Sequence, residues 1–193
     1  MGILYIDDSN HGNYPEIKLA FFAEDEHAAK KALSWLNKNK HKEITEELLS
    51  EMGFNFLVLE RWMREMLGYN VSNIMSHAEL IRTAKSQYGL DGVIIDGETA
   101  HKDILGIERS INGHVPKIQG IAHADQAYAG AKAAGKIAYR LYRHMARNSC
   151  PEAVNIAVEN ELNARKVDPN IVNYQGLATV MGLHIPIETR TPA

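Results

Sequence analysis

The sequence predicts an α/β fold in which helices cover both faces of a mixed sheet, with a helical extension at the C-terminus. Two apolar runs near the start, 2–7 and 16–23, are joined by a short polar connection, which favours antiparallel neighbours. Two later runs, 91–97 and 117–122, are linked by a helical pattern, which favours parallel strands. With 193 residues, 45% of them hydrophobic, the chain can bury a core without disulfides.

The first half of the chain begins with two strands. The run 2–7 is short, apolar and followed by turn-forming residues, and in 16–23 the residues Ile17, Leu19 and Phe21 alternate with less apolar neighbours. A surface helix is then predicted because Ala29, Leu33 and Leu36 recur at helical spacing. The elements predicted next are a helix at 45–52, a strand at 53–59, a short helix at 61–67 and a longer helix at 73–88.

The second half contains the strongest strand signal, a continuous apolar run at 93–95 that is typical of a strand buried on both faces. A helix at 100–111 leads to the last strand, and 126–147 is predicted as one long helix interrupted by Gly130 and Gly135. Pro151 ends that helix. The predicted domains are therefore 1–150 for the sheet domain and 151–193 for the C-terminal helical extension.

Charge and composition exclude several classes of protein. The net charge is −3, so a basic surface for nucleic acid must be local. No stretch approaches 18 apolar residues and Cys150 is the single cysteine, so we expect a cytoplasmic protein that does not span a membrane. Phosphate-binding glycine loops, a nucleophile elbow, zinc spacing and the Asp-x-Asp pattern of haloacid-dehalogenase phosphatases are missing. A phospho-receiver domain fits less well, because 89 residues separate Asp7 from Asp96.

Two acids end the strands that we expect at the sheet centre. If those strands are parallel neighbours, the Asp7 and Asp96 carboxylates meet at the edge where open α/β sheets bind ligands. Paired carboxylates suit Mg²⁺ or Mn²⁺, and such a site could cleave phosphodiesters with two metal ions. Four further residues near these ends could bind metal or move protons: Asp8, Glu98, His123 and Asp125. The alternative is that these acids are ordinary turn formers and helix caps.

The order of these motifs resembles the ribonuclease H-like superfamily, in particular a prokaryotic branch whose first strand ends in an Asp-Glu-Ser-type motif. The matching stretches are Asp7-Asp8-Ser9, 95–98 (IDGE) and 134–139 (AGKIAY). The resemblance implies a divalent-metal nuclease with Asp7 and Asp96 as central metal ligands. The chain departs from the family at Gly135, where the family carries an acid on the last helix.

A second departure concerns the glutamate that the family supplies from the helix after the third strand. Three residues qualify for it: Glu60, Glu65 and Glu79. Asp125 or His123, at the end of the last strand, could substitute for the acid missing at 135.

Five basic residues recur at steps of four, four, three and four along the last long helix, with no acid between 125 and 152. They are Lys132, Lys136, Arg140, Arg143 and Arg147. This spacing places them on one helical face, which suits contact with the phosphates of a nucleic acid. Tyr128, Tyr139 and Tyr142 could add stacking, although Tyr139 or Tyr142 fits the core better. The alternative is a solvated face whose arginines pair with acids elsewhere.

These observations favour a metal-dependent nuclease acting on a nucleic-acid backbone. Two alternatives stay open. One is a catalytically degenerate nucleic-acid-binding or scaffold protein on the same fold, suggested by Gly135. The other is a structural homo-oligomer that associates through the C-terminal extension.

Overall fold

The structure, a computed structural model, describes residues 2–9, 16–42, 46–59, 65, 67–111 and 116–148. Its five strands are β1 (Gly2–Ser9), β2 (Glu16–Ala23), β3 (Phe54–Leu59), β4 (Leu90–Asp96) and β5 (Lys117–Ile121). Its helices are α1 (Glu26–Lys38), α2 (Glu46–Glu51), α3 (Tyr69–Gln87), α4 (His101–Ser110), α5 (Ala124–Ala127) and α6 (Ala129–Asn148). The extension predicted at 151–193, and most of the helix predicted at 61–67, lie outside the described residues.

The strands form one mixed sheet in the order β3, β2, β1, β4, β5. β1 pairs antiparallel with β2 and parallel with β4, and β4 pairs parallel with β5. The mixed sheet and the central position of β1 and β4 are therefore confirmed. β1 runs two residues further than predicted because Asp7, Asp8 and Ser9 still pair with β2.

Each face of the sheet carries its own core. Tyr5, Leu19 and Ile94 point toward α1 and α6, where a run of alanines in α6 lets the helix approach the sheet closely. Leu4, Ile6 and Ile95 point the other way, toward α3 and α4. The alternation of side chains along β1 and β4 thus decides which face each acid occupies.

The long helix predicted at 126–147 is present as α6, but it begins three residues later and runs without interruption through Gly130 and Gly135. Tyr128 adopts extended backbone (φ −122°, ψ 125°) and separates α5 from α6, so the break does not fall at either glycine. The Tyr128 ring lies 6.2 Å from that of Tyr5, which anchors this break against the sheet. The helix continues through both glycines. Each position is occupied by glycine because a group of β1 lies too close for a side chain: the Tyr5 ring at Gly130 and the Asp7 carboxylate at Gly135.

None of the described helices is long and apolar enough to span a bilayer.

Candidate functional site

The register of the central parallel pair brings Asp7 and Asp96 to the same edge of the sheet. Ile6 pairs with Ile95, so both aspartates follow the last matched pair of β1 and β4. Both share the face of Tyr5 and Ile94, which is the face that α6 covers. The predicted meeting of the two strand ends is confirmed, whereas the catalytic and metal-binding roles of the two residues stay predictions.

Asp7 lies in a crowded and strongly negative environment. Burial first, and then the negative charges of Asp96, Asp8 and Asp125, raise the pKa of the Asp7 carboxyl from 3.8 to about 7. The backbone N–H of Asp8 donates to Asp7 Oδ1 at 2.7 Å, and this bond lowers the pKa without offsetting the other effects. Three acids from β1, β4 and α5 therefore act on the Asp7 carboxyl at this edge.

Asp96 is oriented by the backbone that follows β5. Its Oδ1 accepts a hydrogen bond from the N–H of Ala124 at 2.6 Å. That amide is presented by His123, which precedes α5 in the left-handed conformation at φ 55°. The same turn places Asp125 near enough to Asp7 for its charge to act on that carboxyl. The sequence offered one weak signal for this arrangement, the polar stretch His123-Ala124-Asp125 directly after an apolar strand.

Asp8 lies on the opposite face of the sheet from Asp7. Its carboxylate forms an ion pair with Lys18 of β2, and Lys18 also contacts Glu16 Oε1 at 2.9 Å. Lys18 is 2% exposed and Glu16 is fully buried. Sequence analysis missed this cluster, although a lysine inside the apolar run 17–22 was a signal that a buried partner must neutralise it.

The remaining predicted acid and imidazole lie at the rim. Glu98 is exposed, and it lines a cavity together with Asp8 and Asp96 on the α3 and α4 side. The His123 side chain is exposed, and its backbone provides the structural role described above. In the described part of the chain, no three His, Cys, Asp or Glu side chains are already grouped as metal ligands.

Gly135 has a packing role at this site. A Cβ at position 135 would overlap Oδ2 of Asp7, and real Cβ atoms do not approach other atoms that closely. By its resemblance the chain lacks an acid at position 135, but an acidic side chain here would displace Asp7 from its place against α6. The signal was present in the small residues of 129–135 (AGAKAAG), which mark a close helix-to-sheet approach.

Of the candidates for the glutamate on the helix after β3, the two that the structure describes, Glu65 and Glu79, are not among the charges that raise the pKa of Asp7. Glu65 is exposed, and Glu79 of α3 pairs with Arg82 at 2.5 Å. Glu60 lies outside the described residues. The charges that act on the Asp7 carboxyl come from β1, β4 and α5 instead.

The basic face predicted on the last helix falls on α6. Lys132 and Arg143 are exposed, and the Arg143 guanidinium lies 5.8 Å from the centre of the Tyr139 ring. Tyr139 is 54% exposed, whereas Tyr142 packs against the core, so Tyr142 is the one of these two tyrosines that meets the expectation of a core role. Lys136 is partly buried.

Arg140 differs from its neighbours on this face because it already has a partner within the protein. Its Nη2 donates to the carbonyl of Lys42, and partial burial lowers the pKa of its guanidinium. Arg147 belongs to α6, but its side chain lies outside the described set. Within that set, the basic residues of α6 make no ion pair with an acid.

Comparison with known proteins gives matches at the level of structure alone. No family model matches the chain, and no curated protein matches it in sequence. RNase HII of Archaeoglobus fulgidus, solved in complex with PCNA, is similar at a TM-score of 0.52 and 17% identity, over 100% of this chain and 97% of that one.

Two further solved structures show the same likeness. Bst-RNase HIII in complex with Mn²⁺ gives a TM-score of 0.53 and 15% identity, over 94% of this chain and 70% of that one. Ribonuclease H2 of Pyrococcus horikoshii gives a TM-score of 0.52 and 15% identity, over 94% of this chain and 98% of that one. At such low identity these likenesses concern architecture, and they establish that the chain has a ribonuclease H-like fold.

Proposed function

We propose that this protein is a divalent-metal-dependent nuclease that hydrolyses phosphodiester bonds in a nucleic acid. One observation carries the proposal: Asp7 lies at the carboxyl edge of two parallel strands, where the charges of Asp96, Asp8 and Asp125 all act on it. Such mutual repulsion costs stability, which a bound cation would recover. The likeness of the fold to RNase HII, RNase HIII and ribonuclease H2 supports RNA as part of the substrate.

The donor set at this edge fits Mg²⁺ or Mn²⁺. Both ions prefer carboxylate oxygen, and Mg²⁺ is commonly held by one or two carboxylates together with water and substrate phosphate. Asp7 and Asp96 would hold the metal, with Asp125 completing the shell, whereas Asp8 lies on the opposite face of the sheet and is paired with Lys18. When bound, such ions supply an activated water and neutralise charge on the leaving oxygen.

The chain's own groups orient these carboxylates. Ala124 N–H holds one oxygen of Asp96, Asp8 N–H holds one oxygen of Asp7, and Gly135 leaves room for the other. Lys18 binds the Asp8 carboxylate from the opposite side, which limits its motion. Glu98 and His123 stay candidates for proton transfer at the rim, since both are exposed.

The basic face of α6 would bind the phosphates of the substrate. Lys132, Lys136 and Arg143 are the cations that this role depends on most, because Arg140 also bonds to Lys42. Arg147 continues the same helical spacing. The cytoplasmic location expected from the sequence accords with a nucleic-acid substrate.

One observation favours a second candidate, a nucleic-acid-binding protein that does not cut. No three potential metal ligands are already grouped among the residues the structure describes. In that case the basic face of α6 would bind nucleic acid while the acids at the sheet edge would be inactive. The structural homo-oligomer expected through 151–193 concerns residues outside the described set.

The experiment that separates these candidates incubates the chain with labelled RNA, DNA and RNA–DNA hybrid strands in Mg²⁺, in Mn²⁺ and in EDTA. A nuclease cuts at least one substrate only with metal, and Asp96→Asn abolishes cutting while leaving binding in EDTA intact. Asp91→Asn is a matched control, because Asp91 is exposed at the opposite end of β4. Binding without any cleavage would favour the second candidate, and the absence of binding would exclude both.

A further inference from the structure

A cavity of about 250 Å³ opens beside the candidate site on the other face of the sheet, under α3 and α4. Ile95 and Ile107 contribute an apolar wall, and both are buried. Asp96 lines this cavity and also takes part in the acidic edge described above. The cavity is therefore within reach of a strand whose phosphate lies at that edge.

The cavity is lined by a buried histidine that is neutral at physiological pH. His77 of α3 is 8% exposed, and burial followed by the charge of Lys18 lowers the pKa of its imidazole to about 3. One ring N–H donates to the backbone carbonyl of Asn73, so the second ring nitrogen of the neutral ring is an acceptor.

The charge of the lining argues against an anion. Lys18 is balanced by its ion pairs with Asp8 and Glu16. Asp96, Glu98 and Asp103 then leave the cavity with an excess of negative charge. A phosphate group would meet repulsion here, whereas a neutral polar ring would not.

The mouth of the cavity offers amides and an aromatic surface. Tyr69 is 52% exposed, and Asn70 and Asn73 stand beside it on the first turns of α3. A tyrosine ring for stacking, with amide and imidazole groups for hydrogen bonds to a ring edge, is the combination by which proteins bind unstacked bases of single strands.

We infer that this cavity binds the base of an unpaired nucleotide in the strand that the neighbouring acidic edge would cut. The inference rests on the proposed function for its substrate class. The base would stack on Tyr69 and present a donor edge to His77, while its phosphate lies toward Asp96. The site would accordingly act on single-stranded or locally opened nucleic acid in preference to a fully paired duplex.

The test uses adenosine and uridine, with ribose 5-phosphate as the control that carries phosphate and no base. The full chain is titrated in EDTA, and the imidazole ring signals are followed by NMR. His77→Gln identifies the His77 signal. The expected result is a shift of that signal with either nucleoside and none with ribose 5-phosphate.

Two variants of exposed rings make the test specific, since a buried variant such as His77→Gln can fail to fold. Tyr69→Ala should weaken nucleoside binding by roughly 5- to 100-fold, the range expected for loss of one base-stacking partner. His27→Ala, which removes an exposed ring on α1 at the other face of the sheet, should leave nucleoside binding unchanged. The absence of nucleoside binding, equal losses in both variants, or a similar response to ribose 5-phosphate would overturn the inference.

The proposed function fails separately from this inference. Nucleoside binding is measured without metal and without cleavage, so it can persist in a protein that cuts nothing. Conversely, the protein could cleave nucleic acid with metal, lose that cleavage in Asp7→Asn, and show no shift of the His77 signal with either nucleoside. That result would support the proposed nuclease and overturn the proposed base-binding site.

Discussion

The buried acids on the two faces of the sheet differ in the groups that surround them. On the α3 and α4 face, Asp8 and Glu16 share one buried cation, Lys18, which offsets one of their two charges. On the α6 face, Asp7 has acids as its neighbours, and its pKa is raised to about 7. The first arrangement stabilises the fold as it stands, whereas the second is stabilised by adding a proton or a cation. The difference separates a structural cluster from a candidate site.

Removing Lys18, the cation that Asp8 and Glu16 share, should have the largest effect on stability. Lys18→Met leaves Asp8 and Glu16 buried without their shared partner, and we expect a loss of about 3–5 kcal/mol in the free energy of unfolding. Urea denaturation at neutral pH measures it. Lys30→Met is the control, because Lys30 is an exposed lysine paired with Glu26. Equal stability of the two variants would show that the buried cluster contributes nothing.

The stability of the protein should depend on pH through Asp7 of the acidic edge. Because the folded pKa of Asp7 is raised, its protonation stabilises the protein at low pH, and this contribution is lost as pH rises from about 4 through 7. Asp7→Asn should therefore be more stable than the parent at pH 8 in EDTA, by on the order of 2 kcal/mol, and should lose this advantage near pH 4. Added Mg²⁺ should stabilise the parent at pH 8 and not the variant. A parent that gains stability between pH 5 and pH 8 relative to Asp7→Asn would contradict this assignment.

Gly135 allows a test of the contact between α6 and Asp7. Gly135→Ala should cost about 1–3 kcal/mol, since the new methyl group overlaps the Asp7 carboxylate. In an Asp7→Ala background the same change should stabilise the protein by about 0.5–1 kcal/mol, the usual gain from Gly to Ala inside a helix.

The matched control for this cycle is Gly130→Ala, which overlaps the Tyr5 ring instead. Its cost should be the same with Asp7 or Ala at position 7, because the two sites share no partner. If Gly135→Ala were equally costly in both backgrounds, the carboxylate would not be the group that requires a glycine there.

The smallest effect is expected on the basic face of α6. Arg143→Ala should reduce the slope of log affinity against log salt by about one, with a modest loss of affinity at low salt, if the guanidinium contacts a phosphate. Fluorescence anisotropy with a labelled strand in EDTA measures both quantities. Lys102→Ala, an exposed lysine on α4, is the control. An unchanged slope in Arg143→Ala would show that Arg143 does not contact a phosphate of the bound strand.

Much of the architecture could be predicted because it depends on local patterns. The continuous run Val93-Ile94-Ile95 indicated a strand covered on both faces, and the alternation along β2 indicated an antiparallel neighbour. The meeting of Asp7 and Asp96 followed from strand direction alone. These features need only periodicity and the connection rules of α/β sheets.

The details of the site could not be predicted because they depend on contacts between distant segments. The amide of Ala124 that holds Asp96 exists only through the left-handed turn at His123, and position 135 requires a glycine only because Asp7 lies opposite. Likewise, periodicity suggested a core role for Tyr139 or Tyr142, but a pattern of apolar positions does not show which side of α6 is covered. Lys18 was missed because its pairing with Asp8 depends on the register between β1 and β2, and His77 because its burial depends on the packing of α3 against the sheet.

The bond between Ala124 and Asp96 has a consequence for the order in which the chain folds. Asp7 belongs to the first strand, whereas Asp125 and Gly135 follow β5, more than a hundred positions later. The Asp8 amide holds Asp7 within β1 itself, whereas the Ala124 amide can hold Asp96 only once β5 and the turn after it are in place. We therefore expect the complete acidic edge to form only after β5 has docked, so that repulsion among all of its acids does not oppose the pairing of β1 with β2.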